Sequence, residues 1–118
     1  MSQRGDIVYV EIPYYDRPGS KERTAVVIQC DRNNRRLLST LVAGITTNTS
    51  RVGKEPTQFL IDPATPEGAS SGLAHPSAVK CENLYTVSQI RIRRTAGHLS
   101  DALRLKLDAC LKAALELP

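Results

Sequence analysis

Hydrophobic and polar residues alternate along several short stretches of the chain, which is the pattern of half-buried β-strands. The stretch from Asp6 to Ile12 shows this alternation and is rich in β-branched residues. Further runs of similar character predict five more strands, over Thr24–Gln29, Leu37–Ile45, Thr57–Ile61, Ser77–Cys81 and Leu84–Ile92. We therefore predict a mostly antiparallel β structure in the form of a meander, whose edges must close or be covered.

The end of the chain changes to the period of an α-helix, about 3.6 residues. Ser100 is a good N-cap, and Asp101 is favourable in the first turn. One stripe at helical spacing carries the apolar side chains Leu103, Leu107, Cys110, Leu111, Ala114 and Leu117. We expect this C-terminal helix to pack that stripe on the sheet. Leu105 lies among polar residues. Either it is exposed to solvent without a role, or it belongs to a surface that binds a partner.

The segments between the predicted strands are rich in Pro, Gly and small polar residues. Pro13–Glu22 predicts a mobile polar loop, and Asp31–Asn34 predicts a turn because Asn tolerates positive φ. Thr46–Ser50 ends the third apolar run, and Asp62–Pro76 is an irregular connection. The predicted fold is one mostly β domain over residues 1–118, closed by a single C-terminal helix.

Composition narrows the setting in which the protein works. No stretch of the 118 residues approaches the roughly 20 apolar residues that span a membrane, and the N-terminus lacks the apolar segment of a signal peptide. Cys30, Cys81 and Cys110 form no CxxC pair, so we expect buried thiols rather than disulfides or a zinc site. The expected location is the cytoplasm, with no membrane partner.

The chain carries 16 Lys and Arg against 12 Asp and Glu, a net charge of +4 that permits an anionic partner without requiring one. The basic residues cluster around positions 17–23, 32–36 and 91–94. His75 and His98 are isolated and favour structural or exposed roles, and the carboxylates are not spaced as metal ligands. If the protein is an enzyme, we expect its catalytic side chains to be Arg, Thr, Ser and Tyr, and we expect no cofactor.

Arginine and hydroxyl side chains are sufficient for the cleavage of RNA. RNA carries its own nucleophile, the 2′-hydroxyl, so an enzyme need only orient it and stabilise the charge that develops on the phosphate. Arginine suits that second task because its planar fork donates in two directions and stays charged. A neighbouring threonine hydroxyl can donate to the same oxygens, and this chemistry needs no metal.

Six segments in order along the chain carry a recognisable pattern: Arg4–Val10, Glu22–Gln29, Leu41–Thr47, Ser71–Leu73, Ser77–Cys81 with Leu84–Val87, and Gly97–Ser100. Together, from about Arg4 to Leu117, they resemble the MazF/PemK toxin family. One position departs from the pattern, because the family usually has Pro after its arginine and this chain has Thr24.

The resemblance implies a homodimer with an SH3-like antiparallel β-barrel and a C-terminal α-helix. It also implies a sequence-selective endoribonuclease that leaves a 2′,3′-cyclic phosphate and a 5′-hydroxyl on mRNA, and a cognate antitoxin whose acidic segment occupies the RNA groove. By position, Arg23 corresponds to the catalytic arginine and Thr46 to the catalytic threonine. The general base is left open between Thr46, Glu22 and water.

Further residues are predicted to contact the RNA, and each has a plainer alternative. Phosphate contacts are predicted for Arg17 and Lys21, which otherwise are solvated surface cations. The remaining candidates are Glu22, Thr47, Asn48, Gln58 and Glu82, because amides, hydroxyls and carboxylates can read exposed base edges. Two other functions stay open: a gyrase-poisoning toxin of the same fold, and an inactive module that only binds RNA or antitoxin.

Overall fold

The computed structural model describes all 118 residues, Met1–Pro118, and contains six β-strands and two α-helices. The strands are β1 Asp6–Pro13, β2 Ser20–Val27, β3 Ser39–Thr46, β4 Gln58–Ile61, β5 Ser77–Ser88 and β6 Ile92–His98. The helices are α1 Asp31–Arg36 and α2 Asp101–Leu115, and single 3-10 turns cover Ala69–Ser71 and Gln89–Arg91. The predicted mostly β fold with a C-terminal helix is confirmed.

All six strands form one antiparallel sheet in the order β4-β5-β3-β2-β1-β6. This order differs from the predicted meander, because β3 pairs with β5 rather than with β4, and the first strand pairs with the last. The edge strands β4 and β6 are not hydrogen-bonded to each other, so the sheet stays open.

Alternation along the strands builds a core on each face of the sheet. On one face, Ile7 of β1 and Val26 of β2 belong to a cluster completed by residues of α2. On the other face, Val8 of β1 and Val27 of β2 belong to a second cluster without helical residues. Successive side chains of a strand point to opposite faces, so a strand buried on both faces has near-continuous apolar residues.

Helix α2 begins as the sequence predicts. The Ser100 side chain accepts a hydrogen bond from the Leu103 backbone N–H at 3.3 Å. The stripe prediction is confirmed for Leu103, Leu107 and Cys110, which are buried. It is wrong for Leu117, which lies beyond the end of the helix and is 55% exposed. Leu105 is 71% exposed. No helix is both long and apolar enough to cross a membrane.

Three local predictions are wrong. The predicted turn at Asp31–Asn34 is the helix α1, and it leaves Cys30 exposed rather than buried. The two strands predicted at Ser77–Cys81 and Leu84–Ile92 form the single strand β5, which ends at Ser88. Strand β6 was not predicted, because Ile92–His98 is an edge strand with mostly polar side chains.

Candidate active site

Strand register brings Arg23 and Thr46 to the same place on the sheet. β2 and β3 pair antiparallel, and the pair at this end of their ladder is Ala25 with Gly44. The ladder ends at that pair, and Arg23 and Thr46 each lie two residues beyond it on their own strand. Both side chains line one depression of about 130 Å³, so the two residues predicted to carry the chemistry meet there.

Both side chains are chemically available. Arg23 is exposed and forms no ion pair with a carboxylate of the chain. The Thr46 hydroxyl oxygen accepts a hydrogen bond from the Asn48 backbone N–H at 3.1 Å. A hydroxyl that accepts in this way keeps its own proton for donation. The pair therefore offers a permanent cation and a hydroxyl donor to an anionic group.

Two further depressions share lining residues with this one. A depression of about 340 Å³ shares Arg23, Asn83 and Tyr85 with it. A depression of about 180 Å³ shares Thr24, Ile45 and Thr46 with it and is bordered by His75. We call these three depressions together the groove, and Arg23 and Thr46 both line its smallest part.

The connection between β1 and β2 forms the outer wall of the largest depression. It covers Tyr14–Gly19 and is shorter than the predicted loop Pro13–Glu22, because β1 and β2 extend further. The Tyr14 backbone N–H donates to the Gly19 carbonyl at 3.0 Å, and the Arg17 guanidinium lies 4.1 Å from the Tyr14 ring centroid. These internal contacts order the connection as a tight hairpin loop.

A bulge in β5 shapes the floor of the groove. Ala43 of β3 pairs with Leu84, and the next residue, Gly44, pairs with Lys80. Three residues of β5, Cys81–Asn83, therefore have no partner on β3. Bulges bend a strand and re-aim its side chains, and they are common beside active sites. Here the bulge brings Asn83 to the depressions on both sides of Arg23.

Comparison with known proteins shows the family of the chain. Residues 3–115 match the family model of the PemK-like, MazF-like toxins of type II toxin–antitoxin systems. The chain belongs to this family. It is 28% identical over 116 residues to the endoribonuclease EndoA of Bacillus subtilis, covering 98% of this chain and 95% of EndoA.

Solved structures of related toxins have the same fold. The Mycobacterium tuberculosis toxin MazF-mt6 is 25% identical, with a TM-score of 0.75 over 96% of this chain and 98% of that one. A mycobacterial endoribonuclease in complex with its cognate antitoxin is 19% identical, with a TM-score of 0.79 over 100% of this chain and 98% of that one.

In this MazF-like toxin the predicted RNA contacts Gln58 and Glu82 bind each other. Gln58 is buried and donates from Nε2 to Glu82 at 2.7 Å, and the Thr57 hydroxyl donates to the same carboxylate at 3.1 Å. Burial alone raises the pKa of Glu82, but these bonds, its own backbone N–H and the nearby charge of Lys80 outweigh burial and leave the pKa below its usual value. Glu82 is thus held ionised and turned toward β4.

The remaining predicted contacts lie in different places. Lys21 pairs with Ile12 across β1 and β2, as Arg23 pairs with Val10, so both basic side chains lie on the same face. Glu22 lies between them on the strand and points to the opposite face, where it is 3.4 Å from Arg93.

Thr47, which is exposed, lines the depression next to His75. Asn48, also exposed, caps its own turn by accepting from the Ser50 N–H at 3.1 Å. The placement thus favours Arg17, Lys21 and Thr47 as contacts and leaves all of these residues predictions. It gives no support to the others, which are Glu22, Asn48, Gln58 and Glu82.

Three groove residues were missed by the sequence reasoning: Lys80, Asn83 and Tyr85. One signal was present, because Lys80 is the single charged residue in the otherwise uncharged run Ser77–Cys81. Asn83 and Tyr85 carried no such signal, since their position depends on the bulge, which no local pattern predicts.

The buried cysteines lie outside the groove. Burial raises the pKa of Cys81 to about 12 and raises that of Cys110 as well. Both thiols therefore stay protonated and serve in packing. No group of three or more His, Cys, Asp or Glu side chains is arranged to hold a metal ion.

Proposed function

We propose that the chain is a sequence-selective endoribonuclease that cuts single-stranded RNA in the groove. The observation that carries the proposal is that Arg23 and Thr46 line one depression just beyond the end of the β2–β3 ladder. The name of EndoA, an endoribonuclease of the same family, supports it. A cation and a hydroxyl donor in one open depression suit a phosphate of a single RNA strand.

The proposed reaction is an internal transesterification. The 2′-oxygen attacks phosphorus and the bond from phosphorus to the 5′-oxygen breaks, leaving a 2′,3′-cyclic phosphate and a 5′-hydroxyl. Arg23 and the Thr46 hydroxyl donate to the phosphate oxygens, where negative charge develops. Of the three candidate bases we favour water, because the depression that holds Arg23 and Thr46 is lined by no carboxylate or imidazole. Water also supplies the proton to the 5′-oxygen, so no water is consumed.

The family also suggests the setting in which this reaction acts. We propose that residues 1–118 act as a single toxin domain in the cytoplasm, cutting mRNA and thereby inhibiting translation and growth. We also propose a homodimer, and a cognate antitoxin with an acidic segment that competes for the basic groove. The mycobacterial relative in complex with its cognate antitoxin supports the existence of such a partner.

Cleavage of a single-stranded RNA by purified protein tests the function. We expect cleavage in the presence of EDTA, with products that carry 2′,3′-cyclic phosphate and 5′-hydroxyl ends. Arg23→Ala should lower the cleavage rate at least about 100-fold, because it removes the main donor to the developing charge. Arg35→Ala is the matched control, since Arg35 is an exposed arginine of α1 outside the groove.

Each contrary result has a distinct meaning. Cleavage by Arg23→Ala at the wild-type rate would contradict the assigned roles, provided that the variant remains folded. Loss of cleavage in EDTA would contradict the metal-free mechanism. A protein that binds RNA and cuts none of it would favour the inactive binding module.

A further inference from the structure

The part of β2 that carries Arg23 is supported by the sheet on one side only. β2 pairs with β3 over residues 25–27 and no further, whereas its pairing with β1 continues to Ser20. β1 in turn pairs with β6 only as far as Val10. Beyond these points β1 and β2 have only each other, and a two-stranded hairpin alone is marginally stable in water. We call residues 11–22 the arm, and Arg23 lies at its base.

The two faces of the arm differ in how they are held. On one face, Ile12 is buried in the second core cluster. On the other face, Glu11 of β1 and Glu22 of β2 pair directly across the two strands. Like charges that lie directly opposite each other destabilise the pairing of their strands. A cation bound to both carboxylates removes this repulsion.

Arg93 of β6 is that cation. Its Nη2 lies 3.2 Å from Oε1 of Glu11, and its Nε lies 3.4 Å from Oε2 of Glu22. The second oxygen of Glu11 accepts a hydrogen bond from the Ser20 hydroxyl at 2.7 Å. The bonds from Ser20 and Arg93 hold the pKa of Glu11 below its usual value. One guanidinium thus connects both strands of the arm to a third strand.

A bulge in β6 gives Arg93 this position. Tyr9 of β1 pairs with Arg94, and the next residue, Val10, pairs with Ile92. Arg93 is the extra residue between them and has no partner on β1. Bulges re-aim a side chain and are common beside active sites. The plainer role of an arginine on an edge strand is to prevent pairing with other sheets, but that role requires neither a bulge nor two carboxylate partners.

We propose that Arg93 is a positioning residue that acts through the arm on Arg23. The inference rests on the proposed endoribonuclease function. By binding Glu11 and Glu22 together, Arg93 fixes the arm against β6 and so holds the base of the arm in place. Arg93 itself does not line the groove, because Glu22 points to the face of β2 opposite to Arg23. A displacement of about 1 Å at a catalytic site can lower the rate about 100-fold.

Single-turnover cleavage by Arg93→Met tests the proposal, because Met is a long unbranched side chain without charge. We expect the rate constant at saturating protein to fall about 10-fold, since Arg23 is displaced and not removed. Glu22→Gln in the same protein leaves one carboxylate on that face of the arm, which ends the repulsion, and should restore part of the rate. Arg32→Met, at an exposed arginine of α1, is the matched control and should cleave like the wild type.

Combination with Arg23→Ala shows whether Arg93 acts through Arg23. If it does, adding Arg93→Met to the Arg23→Ala protein should lower the remaining rate little further, because the group that it positions is already gone. Should Arg93→Met not fold, Arg93→Gln serves the same comparisons after a melting curve. A wild-type rate in the folded variant, or an undiminished 10-fold loss in the Arg23→Ala protein, would overturn the role of Arg93 and leave the endoribonuclease proposal intact. Absence of cleavage by the wild type would instead overturn that proposal.

Discussion

Asn34 is a buried polar residue whose contacts fix the connection between β2 and β3. Asn34 is 1% exposed, and its side-chain amide nitrogen donates to the Gln29 backbone carbonyl at 3.0 Å. Its side-chain oxygen accepts two hydrogen bonds, from Gln29 Nε2 at 3.0 Å and from the Thr40 hydroxyl at 2.6 Å. Its backbone carbonyl accepts from Gln89 at 2.8 Å. These bonds set where β3 begins after α1, and hence the register of the β2–β3 ladder beyond whose end Arg23 and Thr46 lie.

Asn34→Ala should lower the free energy of unfolding by about 2–3 kcal/mol, because the variant leaves buried donors and acceptors of Gln29 and Thr40 without partners. Urea unfolding followed by circular dichroism measures this loss. Asn33→Ala is the matched control, since Asn33 is less buried and its side chain binds only exposed Arg36. It should change stability by no more than about 0.5 kcal/mol. Equal losses in the two variants would show that the network does not hold the connection.

Two glycines allow the backbone around the 3-10 turn Ala69–Ser71 to pack directly against the backbone of strand β6. A Cβ atom on Gly97 would collide with the carbonyl oxygens of Ser70 and Ser71. Gly72 has φ of +72°, and a Cβ atom there would collide with the Ala96 carbonyl oxygen. Backbone thus packs directly on backbone at both positions, which fixes β6 against the irregular connection.

Gly97→Ala should therefore destabilise the protein by about 3 kcal/mol or more, because two backbone segments must separate to admit one methyl group. Gly44→Ala is the matched control on the neighbouring part of the sheet. Its new methyl group meets only ordinary contacts, at 3.6 Å or beyond, and alanine is preferred over glycine in a strand by about 0.5–1 kcal/mol. Thermal unfolding of both variants compares them. A Gly97→Ala protein as stable as Gly44→Ala would contradict the packing.

How far the sequence predicts each element depends on where its stabilising contacts lie. β1 and α2 are predictable because their apolar periods and the Ser100 cap are local. α1 is not, since the residues Asp31–Arg36 are all polar and the helix depends on the remote contacts of Asn34. The sequence predicts two strands where the structure has the single strand β5. Polar residues at Glu82-Asn83 interrupt the apolar run, and a bulge within one strand leaves the same local pattern as a turn between two.

The same distinction applies to the candidate site. The resemblance selects Arg23 and Thr46 because they lie in its motifs, and the register explains their meeting. Lys80 and Asn83 became candidates only through the pairing of β5 with β3, a relation between segments far apart in sequence. Pairing partners of that kind are set by the whole sheet and leave no local pattern.

At the scale of the whole molecule, the net charge of +4 is distributed unevenly. Arg17, Arg23 and Lys80 line the groove, whereas Asp16 is the only carboxylate that does so. Lys21 lies on the same face of β2 as Arg23. The arginines of α1 lie at the far end of β3, whose length from Ser39 to Thr46 is about 23 Å. This separation exceeds the Debye length of about 8 Å at physiological salt. RNA in the groove therefore interacts mainly with the basic residues that line it and with Lys21, and little with the arginines of α1.

Salt dependence of RNA binding measures which of these charges meet phosphates. Each phosphate contact on a single strand contributes about 0.7 to the slope of log affinity against log salt concentration. Arg17→Gln and Lys21→Gln should each weaken binding and reduce that slope by about this amount. Arg35→Gln removes the same charge from α1 and should leave the slope unchanged. Binding is best followed by fluorescence anisotropy with a 2′-deoxy substitution at the cleavage site, which removes the nucleophile. A slope that falls equally in all three variants would mean that the RNA responds to the total charge of the protein and that no groove guides it.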